Sequence, residues 1–199
     1  MNEDIKKFVG AKTKLPTWQL GELEIESQFF SKASDGDLVV SFGNPFQTAK
    51  PLVRIHSECV FAEVFDSKIC DCAEQLHAAI HLLRESKHGV LFYLRFDGRG
   101  AGLSAKVAAT ALEVEGVDTY DSRVAIGVDP EGRSFEAIGE FLKSKGVKAI
   151  ELLTNNPVKK EGIERVGIPV DILPLKISPR SPEIEQLLLT KRKRFGHWL

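Results

Sequence analysis

Three cysteines occur in the 199 residues, and the stretch HSECVFAEVFDSKICDC, His56 to Cys72, holds all of them: Cys59, Cys70 and Cys72. An odd number cannot pair fully into disulfides. With no signal peptide, transit sequence or long apolar run to be read, a secreted, disulfide-stapled protein is a poor fit. A chain of this length can bury a core without staples. The thiols are then free for chemistry. Cys70-Asp71-Cys72 is expected to put two side chains on the same side of an extended segment, with Cys59 arriving from the end of a strand. The C-x10-C-x-C spacing can close three corners of a tetrahedron around zinc. An open fourth corner is the arrangement of a catalytic zinc, where water is acidified to a pKa of about 7. Two blander arrangements share the same spacing: buried unliganded cysteines, or a closed structural site completed by His56 or His77.

The neighbouring residues carry phosphate and base chemistry. Arg54 and Glu58 share a strand with Cys59, one able to clamp phosphate and the other to accept hydrogen bonds from a base edge. DGRGAG, from Asp97 to Gly102, offers backbone N–H groups beside Arg99, a candidate phosphate cradle that matches neither the dinucleotide fingerprint nor the P-loop. Glycines in such a loop also serve simply to make the turn.

These residues need a frame. TWQLGELEIESQFF and DGDLVVSFG, separated by SKAS, alternate as antiparallel strands joined by polar turns, and PLVRIHSE continues as a strand. After Cys72, Leu76, Ala79, Ile80 and Leu83 fall on one helical face, with Gly89 as the expected stop. GVLFYLR is a buried strand leading into the glycine loop and an alanine-rich helix over Lys106 to Glu115. Ser134 is the expected cap of the helix FEAIGEFLKSKG, followed by the strand KAIELLT, the loop NNP, a helix after Pro157 and the strand IPVDIL. The expected fold is α/β, a mixed sheet covered by helices with an antiparallel N-terminal part. One domain over residues 1–199 is expected, with a helical tail over about 181–199. The basic run Lys191-Arg192-Lys193-Arg194 reads as the solvated face of that last helix. A formal net charge of -1 argues against a nucleic-acid or membrane surface and for a soluble cytoplasmic protein.

Taken in order, VRIHSEC, CDCAEQLHAA, YLRFDGRGAGL and LLTNNPVKKEGI resemble the GTP cyclohydrolase II family, over roughly Pro51 to Leu175. The resemblance implies opening of the guanine imidazole ring of GTP. C8 is lost as formate and pyrophosphate is released, giving 2,5-diamino-6-(5-phosphoribosylamino)pyrimidin-4-one at the entry to flavin synthesis. It also implies one Zn2+ per chain on Cys59, Cys70 and Cys72, Mg2+ with the triphosphate, and a homodimer. Such chemistry is physically sound, because C8 lies between two nitrogens and is open to attack by activated water.

By the same resemblance, Arg54, Ile55, His56, Ser57 and Glu58 match the family's first nucleotide-binding motif, and Gln75 a glutamine after the metal site. Asp97, Gly98 and Arg99 match a second motif in which the usual glutamate is here Asp97. Thr119, Thr154 and Lys159 fall on further nucleotide-binding positions, although Thr154 would serve equally as a strand end and Lys159 as a surface lysine. Glu131 and Arg133 match the family's catalytic acid and arginine, with Glu131 replacing an aspartate. Charge stabilisation at phosphorus is the easier role for an arginine than nucleophilic attack. The family's arginine and tyrosine in the helix after the glycine loop are here Ala108 and Thr110. These departures leave three readings: the full reaction on GTP; a diverged enzyme that stops at a formamidopyrimidine nucleotide or takes another purine nucleotide; and a non-catalytic nucleotide-binding module with structural zinc.

Overall fold

The computed structural model describes residues 7–30 and 36–199; the SKAS turn at 31–34 lies outside them. Alternating apolar and polar residues form three antiparallel strands, β1 (Lys12–Thr17), β2 (Gly21–Gln28) and β3 (Asp37–Gly43). β3 then pairs antiparallel with β5 (His88–Leu94), and from there the sheet turns parallel through β4 (Leu52–Ser57), β6 (Ile150–Leu153) and β7 (Val170–Leu173). The order is β1-β2-β3-β5-β4-β6-β7, a mixed sheet with an antiparallel N-terminal part.

Helices cover both faces: α1 (Val60–Glu63), α2 (Cys72–Ser86), α3 (Leu103–Val114), α4 (Asp121–Ala125), α5 (Glu136–Ser144), α6 (Pro157–Glu164) and α7 (Pro182–Phe195). On one face Val53, Ile55, Val90 and Phe92 pack with Ile138 and Leu142 of α5 and Ile163 of α6. On the other, Leu52, Leu91 and Leu153 pack with Ala79 and Leu83 of α2. Side chains alternate along a strand, so Arg54 and His56 share the α2 face with Leu52. Two polar side chains are thereby buried beneath the helix that begins at Cys72.

Three local expectations change. α2 stops at Lys87, which takes the left-handed conformation at φ 58 and returns its N–H to the Arg84 carbonyl. Gly89 instead lies inside β5, where a Cβ would stand 2.5 Å from the Leu83 carbonyl oxygen. The glycine is there for close helix-to-strand packing. Ser134 does not cap α5; the N-cap is Phe135, buried in the core and lacking a side-chain cap, because packing of its ring decides the position. The alanine-rich helix begins at Leu103, ahead of Lys106. No helix among the described residues is long and apolar enough to cross a membrane.

Gly89→Ala forces a methyl group onto backbone that cannot rotate away, and is expected to destabilise the fold by about 1–3 kcal/mol. Urea unfolding measures this, and an unchanged midpoint would mean that α2 and β5 can separate without loss.

Candidate active site

Three parallel strands end at the same edge of the sheet. β4 delivers Ser57, Glu58 and Cys59; β5 delivers Asp97, Gly98 and Arg99; β6 delivers Thr154, Asn155 and Asn156. β4 lies between β5 and β6, so the chain leaves it to opposite sides and opens a crevice at its carboxyl end, where α/β sheets bind ligands. A pocket with about 1140 Å³ of empty space, part of it open solvent, occupies this place.

At one wall the three sulfurs lie within 4.8 Å of one another. Cys59 follows β4 and precedes α1, whereas Cys70 and Cys72 bracket the start of α2. Asp71 has φ -102 and ψ 18, so the Cys70–Cys72 segment is turning into the helix and is not extended. The sulfurs converge through that turn. Cys59 and Cys70 Sγ are 3.7 Å apart, close to the roughly 3.8 Å separating thiolates on a tetrahedral zinc with bonds of about 2.3 Å. His77 is exposed, and His56 Nε2 is engaged by Glu63 Oε1 at 2.9 Å. The donor set therefore fits a metal ion held by three sulfurs, without a fourth ligand from either histidine.

A cation abuts this cluster. Lys106 Nζ lies 3.0 Å from Cys59 Sγ and 2.7 and 2.9 Å from the two carboxylate oxygens of Asp97. Hydrogen bonds from Cys70 and Cys72, joined by the Lys106 charge, hold Cys59 well below the ordinary thiol range. Hydrogen bonding with Cys59, and then burial and the Cys59 charge, push Cys70 up to about 11.

Beneath the metal wall runs a chain of buried hydrogen bonds. Tyr93 OH donates to Glu63 Oε2 (2.5 Å), Glu63 Oε1 accepts from the Cys59 N–H (2.9 Å), and Arg54 donates to Gln75 Oε1 (2.9 Å). Gln75 Nε2 donates to Asp71 Oδ2 at 2.6 Å. Burial lowers the His56 pKa to about 4, so its neutral ring donates from Nε2 to Glu63 and turns Nδ1 toward Arg54.

The opposite wall is cationic. Lys159 is buried with its Nζ on the Ile55 carbonyl at 2.9 Å and makes no ion pair among the described residues; burial, then Arg54 and Arg133, drive its pKa well down. Arg99, at φ 58, donates to the Pro130 carbonyl and to Thr119 Oγ1, and burial beside Arg133 and Arg123 lowers its pKa to about 9. Arg133 donates to Ser57 Oγ at 3.1 Å and forks onto both oxygens of Glu131. Sulfur on one side and unpaired positive charge on the other suit a ligand with a polarisable ring and a polyanionic chain.

A model of the GTP cyclohydrolase II family matches residues 8–172. GTP cyclohydrolase-2 of Psychromonas ingrahamii is 37% identical over 191 residues, 95% of this chain and 92% of that one. GTP cyclohydrolase-2 of Acinetobacter baumannii is 39% identical over 190 residues, 94% of each. Riboflavin biosynthesis protein RibBA of Bacillus velezensis is 42% identical over 156 residues, 78% of this chain but 39% of that longer relative. The chain belongs to the GTP cyclohydrolase II family. It is a hydrolase of the GTP cyclohydrolase II type.

Of the family positions, Arg54, His56, Ser57, Glu58, Gln75, Gly98, Thr119 and Thr154 line the pocket with the residues already described. Ile55 does not. Its side chain is fully buried in the α5-facing core, because strand alternation turns it away from Arg54 and His56, and only its carbonyl reaches toward the site through Lys159. Asp97 is heavily engaged: besides Lys106, its carboxylate accepts from the Gly98 and Val60 N–H groups. Thr154 Oγ1 accepts from the Asn156 N–H, as a strand end would, while its residue also faces the pocket.

Sequence reasoning passed over Glu63, Lys106, Lys191, Phe195 and His197. Glu63 carried a signal, an acid one helical turn after Cys59. Lys106 reads as an ordinary surface lysine in an alanine-rich helix, and nothing near the C-terminus marks residues that line a pocket formed by Cys59 and Arg99.

The buried His56 makes a testable demand. Its pKa of about 4 lies below the unfolded value of 6.5, so between them the unfolded chain binds a proton that the folded chain does not. Stability from this group is complete above about pH 6.5 and is lost as pH falls toward 4, at up to about 1.4 kcal/mol per pH unit. His56→Gln keeps a donor for Glu63 and removes the dependence. Urea midpoints across this window should fall more steeply for the wild type, and parallel slopes would exclude His56 as the source.

Proposed function

We propose that this chain opens the imidazole ring of GTP, with zinc held by Cys59, Cys70 and Cys72 and magnesium accompanying the triphosphate, and releases formate and pyrophosphate. The observation that carries this reading is one pocket with a three-sulfur corner facing Arg99, Arg133 and Lys159. Cys59, Cys70 and Cys72 would hold the zinc, which would supply Lewis acidity and activation of water. The chain's own groups supply position and charge. Glu63 fixes Cys59 through its N–H, and the Lys106 ammonium draws electron density from the Cys59 sulfur, which limits how far the thiolates neutralise the metal.

Arg99 and Lys159 bind the phosphate chain, since each is withdrawn from water without a carboxylate partner. Arg133 stabilises charge at the α-phosphate, held in orientation by Glu131. Burial alone would raise the Glu131 pKa, but Arg133 outweighs it and keeps the carboxylate ionised, able to accept a proton once substrate competes for Arg133. Arg54, His56 and Gln75 hold the floor beneath the base. The reading includes a homodimer, which light scattering would remove by finding a monomer.

Purified protein is expected to carry about one zinc per chain, and Cys70→Ser to lose most of it. Full zinc retention after removal of any one of the three cysteines would sink the site.

A specific observation favours a modified outcome. Thr110 lines the pocket where the family resemblance implies a tyrosine, and a threonine hydroxyl is shorter and far less acidic than a phenol. Ring opening needs one hydrolysis at C8; loss of formate needs a second, with a proton delivered to the departing amine. The first should survive the change better. Incubation with GTP, zinc and magnesium should yield pyrophosphate and, in place of or alongside the deformylated diaminopyrimidine, a formamidopyrimidine nucleotide visible by mass spectrometry, and Thr110→Tyr should shift the product toward deformylation. Stoichiometric formate with no formamide species at any time would show the complete reaction, and absence of any ring-opened product would defeat the proposal.

A further inference from the structure

The C-terminal segment reaches into the pocket. α7 is anchored at its start by Ser181, which accepts from the Ile184 N–H, and along its length by Lys191, whose Nζ donates to Asp71 Oδ1 at 2.9 Å. Asp71 stands between two of the three cysteines, so the helix is tied to the metal corner. At its end Arg194 pairs with Asp121, and Gly196 turns the chain at φ 67. The Trp198 N–H then donates to the Asn155 carbonyl at 2.9 Å, pinning the tail to the loop after β6.

These anchors carry three side chains to the cationic wall. The Phe195 ring centre lies 4.2 Å from the Arg99 guanidinium carbon, so the ring braces a residue whose own backbone is left-handed. Lys191 and His197 line the same pocket as Arg99, Arg133 and Lys159. Neither ring nitrogen of His197 hydrogen-bonds to another described residue, whereas its backbone N–H is used by the Lys191 carbonyl at 3.2 Å. Burial, and then the charges of Lys191, Lys159, Arg99 and Arg133, lower its pKa to about 3. A half-buried imidazole with no hydrogen-bond partner among the described residues, set among four cations, has a ring N–H to offer a polyanion.

We propose that the C-terminal segment is part of the substrate site: His197 hydrogen-bonds the phosphate chain, Lys191 secures this seat to Asp71, and Phe195 is a positioning residue for Arg99. This extends, and rests on, the nucleotide site proposed above. The basic run of α7 is accordingly divided, with Arg192 and Lys193 exposed and Lys191 turned inward.

Calorimetric titration of the zinc-loaded protein with inorganic tripolyphosphate, and separately with a non-hydrolysable α,β-methylene analogue of GTP, tests the seat. His197→Ala should bind tripolyphosphate roughly tenfold more weakly, the scale of a hydrogen bond to a charged group, with its melting temperature and zinc content unchanged. His197→Gln, which keeps a donor, should recover part of the loss, and Phe195→Leu should weaken binding through Arg99. Wild-type affinity for tripolyphosphate in His197→Ala would overturn the proposal. So would a loss that appears only together with lowered thermal stability and that His197→Gln does not relieve, since the tail would then be merely structural. If the wild type binds tripolyphosphate but not the GTP analogue, the GTP reading fails while the seat stands; if it binds neither, both fall.

Discussion

Three cations, Arg54 and Lys159 buried and Arg99 partly so, stand at one end of the sheet with no ion pair to a carboxylate among the described residues. Burying unpaired charge is among the least favourable things a fold can do, and it is tolerated only where neighbours or a ligand compensate. Here the neighbours are carbonyls and amides: Arg54 leans on the Leu153 carbonyl and Gln75, Lys159 on the Ile55 carbonyl, and Arg99 on the Pro130 carbonyl and Thr119. Arg54 Nε is left without any partner. Much of the architecture can be understood as the means of holding this charge in place.

The parallel strands bring their carboxyl ends to the same edge, and the metal corner is joined beneath the pocket to the buried Arg54 by one run of contacts. It passes from Tyr93 through Glu63, His56, Arg54 and Gln75 to Asp71 and Lys191. Each member fixes the next, so the thiols and Arg54 are positioned by shared groups and not independently. Low local dielectric strengthens such a network and penalises a gap in it. This links the thiol corner to α7, which lies more than a hundred residues later in the chain.

The departures from the family pattern are absorbed unequally. Asp97 is shorter than the glutamate it replaces, and its carboxylate is taken up by Lys106 and two backbone N–H groups next to Cys59. Glu131 is longer than an aspartate and reaches Arg133 with both oxygens. Thr110 lines the pocket with a shorter side chain than the phenol that the family resemblance implies.

The sequence by itself determined the strands, because alternation of apolar residues is a local property, and it determined the family and the grouping of the three thiols, because these are readable as residue types at fixed spacing. Local reasoning failed where packing overrode it. Gly89 looked like a helix stop and is a contact point for Leu83; Ser134 looked like a cap and yields to the buried Phe135; Cys70 to Cys72 looked extended and turns into a helix. Ile55 sits within a binding motif yet faces the core, since alternation sends it away from its neighbours Arg54 and His56. Only the tertiary structure decided that Lys106 faces Cys59 and that Lys191, Phe195 and His197 return to the pocket. Such contacts join residues from distant parts of the chain, and no periodicity or spacing along the sequence encodes where two separated segments will meet.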